Sequence, residues 1–318
     1  MKKKIVVIGA GLTGPLLALY LSKKGYNVDI YEKRSDIRCN NISAGRSINL
    51  ALSARGINAL KEVGLYDRIA PHTIPMKGRN IHDLDGSEHL QPYGQKEEEV
   101  IYSISRAKLN MEIMTLAENT GMVKIYYNHR CTSVSLEENL VYVTDENNCK
   151  EKIINFDIIL GVDGSGSAVR DAMIEQGGLN HVFKPLDHCY KELTIPPGAN
   201  EKYQLNPNAL HIWPREEFML IALPNIDSSF TCTLFLPTRG TISFSTVSTD
   251  DEIVHLFNKY FPDAMLLIPD LVSEFKNNPT GNLGSIYCDP WHFEDKAVIL
   301  GDAAHAVVPF FGQGMNAS

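Results

Sequence analysis

Two tryptophans in 318 residues, six cysteines with no CxxC pair and no apolar run of bilayer-spanning length are the chain's clearest shortages. Each excludes something. Cys39, Cys131, Cys149, Cys189, Cys232 and Cys288 are scattered, with no His cluster at ligand spacing. A metal site and a disulfide framework are therefore not expected, and reduced thiols filling core or loop positions are. Positive charge is short too: 30 Lys and Arg against 38 Asp and Glu give a formal charge of −8. No basic stripe is present to neutralise phosphates, so nucleic acid is not an expected partner. No segment reads as a membrane span. Met1-Lys2-Lys3-Lys4 is followed by only Ile5 to Gly9 before a glycine-rich turn, too little for a signal peptide, so the expected location is the cytoplasm.

What remains is ordinary globular material, 44% apolar and 21% charged, with length for about two domains and an ample core. The run Ile5-Val6-Val7-Ile8 suits a strand covered on both faces, and Gly9-Ala10-Gly11-Leu12-Thr13-Gly14 follows it directly. A lone GxGxxG is weak evidence, but here an amphipathic helix (Leu16, Leu17, Leu19, Tyr20, Leu21) and a second strand (Val28 to Tyr31, ending in Glu32) follow it. Glu32 lies 23 positions after Gly9, close to the roughly 20 expected of the carboxylate that holds an adenosine ribose. That carboxylate repels a 2′-phosphate and favours FAD or NAD over NADP.

The segment from Gly301 chooses between them. Ala297 to Leu300 reads as a buried strand that presents Asp302 where it opens, within reach of a polyol chain. Gly312 and Gly314 allow close backbone approach, and Met315-Asn316 opens a helix whose N–H groups and positive dipole end face negative charge. A cofactor stretching from the first turn to this distant site is better matched by FAD. A third strand, Ile158 to Val162, ends in Asp163-Gly164 with small residues and a helix behind it.

Between these lie Gly45 to Leu52 as an extended segment, a helix from Ser53 (N-cap) to Gly64 (stop), and a helix from Ser105-Arg106 carrying Leu109, Ile113 and Leu116 inward. Arg106 suits either a pyrophosphate or solvent. From about 176 to 283 the period changes: Tyr190 to Ile195, Ala209 to Trp213, Phe218 to Leu223, Phe230 to Leu236 and Thr241 to Thr246 read as strands of an antiparallel sheet, with a helix over 251–264 beside it. The expected architecture is α/β: a Rossmann-like FAD-binding domain with a parallel sheet (1–68, 105–175 and 284–318) and an inserted antiparallel substrate domain (69–104 and 176–283). Lys96-Glu97-Glu98-Glu99 reads as a solvated loop.

The GxGxxG turn, the Asp163-Gly164 segment and Gly301-Asp302, in that order, make the chain resemble the single-component flavoprotein aromatic hydroxylases. Six longer strings narrow this to a likeness with the kynurenine 3-monooxygenase family: Gly45 to Ser53, Tyr190 to Pro197, His211 to Arg215, Ile221 to Asn225, Tyr260 to Ala264 and Val308 to Asn316. The resemblance implies NADPH-driven hydroxylation of L-kynurenine at ring position 3, with O2 activated at flavin C4a, in tryptophan degradation and pyridine nucleotide synthesis. It implies FAD contacts at Gly9, Gly11, Thr13, Gly14, Glu32, Lys33, Arg34, Ala51, Arg106, Cys131, Asp163, Ala168, Asp302, Gly314, Met315 and Asn316, those of Cys131 and Ala168 through backbone. Arg79 and Tyr93, otherwise ordinary loop residues, match the groups that hold the substrate's carboxylate. No side chain is implied as a chemical catalyst: Pro309, Phe310 and Phe311 wall the pocket, and His305 is structural. The family also continues past Ser318 with Phe-Glu-Asp and a further helical region, so a C-terminally shortened member is expected.

Two rivals remain. One is a related hydroxylase or epoxidase acting on another substrate; flavin halogenases are disfavoured because Trp213 and Trp291 do not form WxWxIP. The other is a protein that keeps the fold and binds without turnover.

Overall fold

The computed structural model describes residues 3–39 and 49–317. Of the extended segment expected over 45–52, residues 45–48 lie outside the described residues, and Asn49–Leu52 is a strand.

Ile5–Ile8 lies inside a six-stranded sheet ordered His292–Phe293, Ala297–Ile299, Ile158–Gly161, Ile5–Ile8, Val28–Tyr31, Val123–Tyr126. All neighbours are parallel except the His292–Phe293 edge. The alternation of strand side chains explains why all four residues of Ile5–Ile8 are apolar. Ile5 and Val7 join one core with Leu19 of helix Thr13–Lys23 and Leu109 and Ile113 of helix Arg106–Asn119. Val6 and Ile8 join the other, with Val169 and Met173 of helix Ala168–Glu175 and Val134 and Val141 of a three-stranded meander (His129–Ser135, Leu140–Asp145, Lys150–Asn155).

The second large sheet has seven strands, ordered Thr280–Asp289, Asn180–Ile195, Phe230–Pro237, Phe218–Pro224, Ala209–Arg215, Gly78–His82, Glu88–Pro92. Its pairs are antiparallel except Gly78–His82 against Ala209–Arg215, which run parallel. Period 2 again divides the faces. Trp213, Leu220 and Leu234 pack on Phe257 of helix Asp250–Tyr260 and on Phe261, whereas Ile212, Met219, Ile221 and Phe235 point to the opposite side, into a cavity.

Two expectations are corrected here. Thr241–Thr246 is not a strand but a turn region: Ser243 donates to the Gly240 carbonyl and Thr246 to the Thr241 carbonyl, and these side-chain bonds replace a ladder. The helix expected over 251–264 breaks at Phe261 (φ −138°), because the residue before Pro262 is driven out of helical geometry, and resumes as Pro262–Met265. Its start is a capping box, with the Thr249 hydroxyl accepting from Glu252 N and Glu252 Oε2 accepting from Thr249 N.

Candidate functional site

A cavity of about 1210 Å³ runs from the glycine-rich turn to the inner face of the seven-stranded sheet. It exceeds the roughly 300–1,000 Å³ of a site for one drug-sized molecule, so it has room for a dinucleotide and a small substrate together.

At one end the turn after Ile5–Ile8 is held by contact. A Cβ on Gly9 (φ +107°) would meet the Val162 carbonyl oxygen at 2.5 Å, and one on Gly14 would meet the Gly9 carbonyl oxygen at 2.0 Å. Gly14 is thus a packing glycine between helix and strand, outside the cavity lining, while Gly9, Gly11 and Thr13 line it. Helix Thr13–Lys23 begins with no side-chain cap, leaving its first N–H groups directed to the cavity end. Glu32, 5% exposed, accepts from Ala10 N (2.7 Å), Arg34 N (2.9 Å) and Arg34 Nε (2.7 Å). Burial alone would raise its carboxyl, but the hydrogen bonds and charge of Arg34 outweigh it and hold the group below its ordinary value. Lys33, Arg34 and Cys131 line the same end, where burial pushes the Cys131 thiol up to about 12 and makes it a poor nucleophile.

Against the glycine-rich turn, Asp163 accepts from Ala168 N at 2.7 Å through Oδ2, while its buried Oδ1 receives no hydrogen bond from a described residue. Burial raises this carboxyl despite the bonds at the helix start. A buried acceptor left open at a cavity wall fits a ligand that donates hydroxyls. Arg170 donates to the Ser165 and Ala303 carbonyls, tying the Asp163 loop to the segment that carries Asp302. Asp302 itself is exposed at the start of Asp302–His305 and lines the cavity, and His305 stacks on Trp291 with centroids 4.8 Å apart.

Gly314 and Met315 open the turn Gly314–Ala317 along the cavity. The Asn316 amide is spent within the protein: Oδ1 accepts from Ser53 N (2.9 Å), and Nδ2 donates to Ala51 O (2.8 Å) and Gly312 O (3.2 Å). Ser53 therefore occupies the N-cap position of helix Ala54–Glu62 without capping it by its side chain. Ala51 and Ala168 also line the cavity.

At the far end, Arg79 of Gly78–His82 holds its guanidinium 5.2 Å from the Tyr93 ring centre. The Tyr93 hydroxyl is buried with no hydrogen-bond partner among described residues, and burial raises it against the charge of Arg79. Pro309 and Phe310 close the side, Phe310 meeting Phe235 edge-on at 5.2 Å; the Phe311 side chain lies outside those described. Arg106, first residue of its helix, also lines the cavity, and its charge acts on Tyr190 and Glu192. Sequence reading named neither Tyr190 nor Glu192 as a site residue. Their alternation with the core-facing Cys189, Lys191 and Leu193 was the available signal.

The family described as FAD binding domain matches residues 2–318. Kynurenine 3-monooxygenase of Myxococcus xanthus (strain DK1622) is 45% identical over 315 residues, 99% of this chain and 68% of that protein. The Dictyostelium discoideum kynurenine 3-monooxygenase is 44% identical over 318 residues, 100% of this chain and 68% of its own length.

The chain belongs to the kynurenine 3-monooxygenase family.

Membership brings FAD as cofactor, and the cavity fits it: uncapped helix N–H groups, the buried Glu32 carboxylate and an open buried acceptor on Asp163 gather at the glycine-turn end of its wall. Solved structures share the family fold. Tetrameric 2-methyl-3-hydroxypyridine-5-carboxylic acid oxygenase matches with a TM-score of 0.78 at 19% identity, covering 99% of this chain and 79% of that one. The flavin-dependent monooxygenase PieE, solved with FAD and substrate, matches with a TM-score of 0.75 at 16% identity over 99% of this chain and 55% of its own. Among the described residues, no helix is long and apolar enough to cross a membrane.

Proposed function

We propose that this chain hydroxylates L-kynurenine at ring position 3, consuming NADPH and O2, in the cytoplasm and within tryptophan degradation. The observation that carries the reading is 45% identity to a kynurenine 3-monooxygenase along 99% of the chain. The cavity with an Arg79–Tyr93 pair opposite its nucleotide end supports it.

Bound FAD supplies the redox chemistry, accepting reducing equivalents and activating oxygen. The protein's part is binding, orientation and exclusion of water. We assign the adenosine ribose to Glu32, with Lys33 and Arg34 beside it, and the pyrophosphate to Gly9, Gly11 and Thr13 at the helix start. Asp163, Ala168 and Asp302 take the polyol chain, Cys131 borders the adenosine end beside Glu32, and Arg106, Gly314 and Met315 border the ring system. Asn316 acts by fixing the Ala51 and Gly312 backbones. Arg79 and Tyr93 take the substrate carboxylate, a charge-assisted pairing that also gives the buried Tyr93 hydroxyl its missing partner. Pro309 and Phe310 keep water from the reacting centre. The FAD-binding part then comprises 1–68, 105–175 and 284–318, and the substrate part 69–104 and 176–283. Incubating the FAD-loaded protein with L-kynurenine and NADPH tests the reading: 3-hydroxykynurenine is expected, while NADPH oxidation yielding only hydrogen peroxide, or no oxidation, overturns it.

A further inference from the structure

The inner face of the seven-stranded sheet carries its polar groups at its two ends. Register places Glu192 opposite Thr233, Thr233 opposite Ile221, Ile221 opposite Ile212, and Leu210 of that same strand opposite Arg79. Glu192 and Arg79 thus stand four strands apart, about 19 Å at the usual spacing, with Met219, Ile221, Ile212 and Leu210 between them along the cavity. Both residues line the one cavity, Arg79 with its guanidinium over the Tyr93 ring at one end and Glu192 toward the other. The Glu192 carboxylate accepts no hydrogen bond from a described residue, and Arg106 is the cation acting on it; burial raises the group against that pull. A half-buried carboxyl that lines the cavity without a hydrogen-bond donor among the described residues is suited to a donor on the ligand.

We propose that Glu192 is a specificity-determining residue that accepts an N–H hydrogen bond from the arylamine of the substrate. The inference rests on the kynurenine reading above. With the substrate's carboxylate on Arg79, its α-ammonium is one carbon away and stays at that end. The arylamine, at the other end of the molecule, is the donor left for Glu192. The same contact orients the ring and favours positive charge developing on the amine when the neighbouring carbon is attacked.

The test is ligand binding to the FAD-loaded protein, with L-kynurenine compared with its analogue lacking the ring amine. The unaltered protein is expected to prefer kynurenine by roughly tenfold to a hundredfold, the range of a hydrogen bond to a charged group. Glu192→Leu is expected to erase the preference by weakening kynurenine alone, and Glu192→Gln, which keeps an acceptor oxygen in the same shape, to retain part of it. Should the leucine variant fail to fold, the glutamine variant decides, since an undiminished preference there removes the charged acceptor from the account. Equal binding of both ligands by the unaltered protein, or an intact preference in Glu192→Leu, overturns this inference and leaves the kynurenine reading standing. Binding of neither ligand overturns both.

Discussion

Arg79 sets its guanidinium over the Tyr93 ring at the cavity wall, where a carboxylate on a ligand can meet both the guanidinium and the Tyr93 hydroxyl. Arg79→Ala is therefore expected to weaken L-kynurenine binding at least about tenfold while FAD content stays unchanged. Loss of flavin from the purified variant would contradict the assignment. A second residue-scale expectation concerns His211, fully buried, whose Nε2 donates to the Asn206 carbonyl and whose Nδ1 faces His82 Nε2 at 2.8 Å. Burial, opposed by the Asn206 carbonyl, pushes the imidazole down to about 4. Above pH 6.5 neither folded nor unfolded chain protonates it; between there and pH 4 the unfolded chain does and the folded one does not. Stability falls as pH drops through that window, by at most about 3 kcal/mol from this group. Denaturant unfolding from pH 7 to 4 should show that slope, and His211→Gln should flatten it.

Among the elements, the glycine-rich turn and the segment after Gly301 are most sensitive. Gly14→Ala sets a Cβ against the Gly9 carbonyl and forces helix Thr13–Lys23 off its strand, an overpacking of about 1–3 kcal/mol. Thermal unfolding should register the loss, together with weaker FAD retention; an unchanged midpoint would mean that the turn relaxes freely. Asn316→Ala removes three hydrogen bonds joining Ala51, Ser53 and Gly312, and should lower stability by about 1–3 kcal/mol and loosen FAD, since both Nδ2 protons are already used to hold the Ala51 and Gly312 backbones. A variant that keeps wild-type stability and loses only FAD would show the amide turning to the ligand instead. The parallel strands, the turn and the helix at Arg106 were legible because hydrophobic period and glycine spacing are local signals. Asn316's inward role was not, because two of its three partners, Ser53 and Ala51, lie more than 260 residues away in sequence. Thr241–Thr246 misled for the opposite reason: β-branched composition was read without the hydroxyl bonds that compete with a ladder.

At the scale of the molecule, the cavity lies between the two large sheets, so a ligand that fills it joins both to one equilibrium. FAD at a hundred times its dissociation constant should add about 2.7 kcal/mol and raise the unfolding midpoint of flavin-free protein by several degrees. Coincident melting curves with and without FAD would place the flavin elsewhere. The two-part architecture was visible as a change of period near residue 176, with 69–104 joined to the second part by resemblance, but the parallel pairing of Gly78–His82 with Ala209–Arg215 was not, since nothing local announces a strand partner about 130 residues on. That parallel pairing has a kinetic consequence. While the chain is being made, the hairpin of Gly78–His82 and Glu88–Pro92 leaves its inner edge unpaired until Ala209–Arg215 has emerged. The strand that delivers Arg79 is thus an aggregation hazard during biosynthesis, and the rate at which residues 93–215 are synthesised sets how long it stays open.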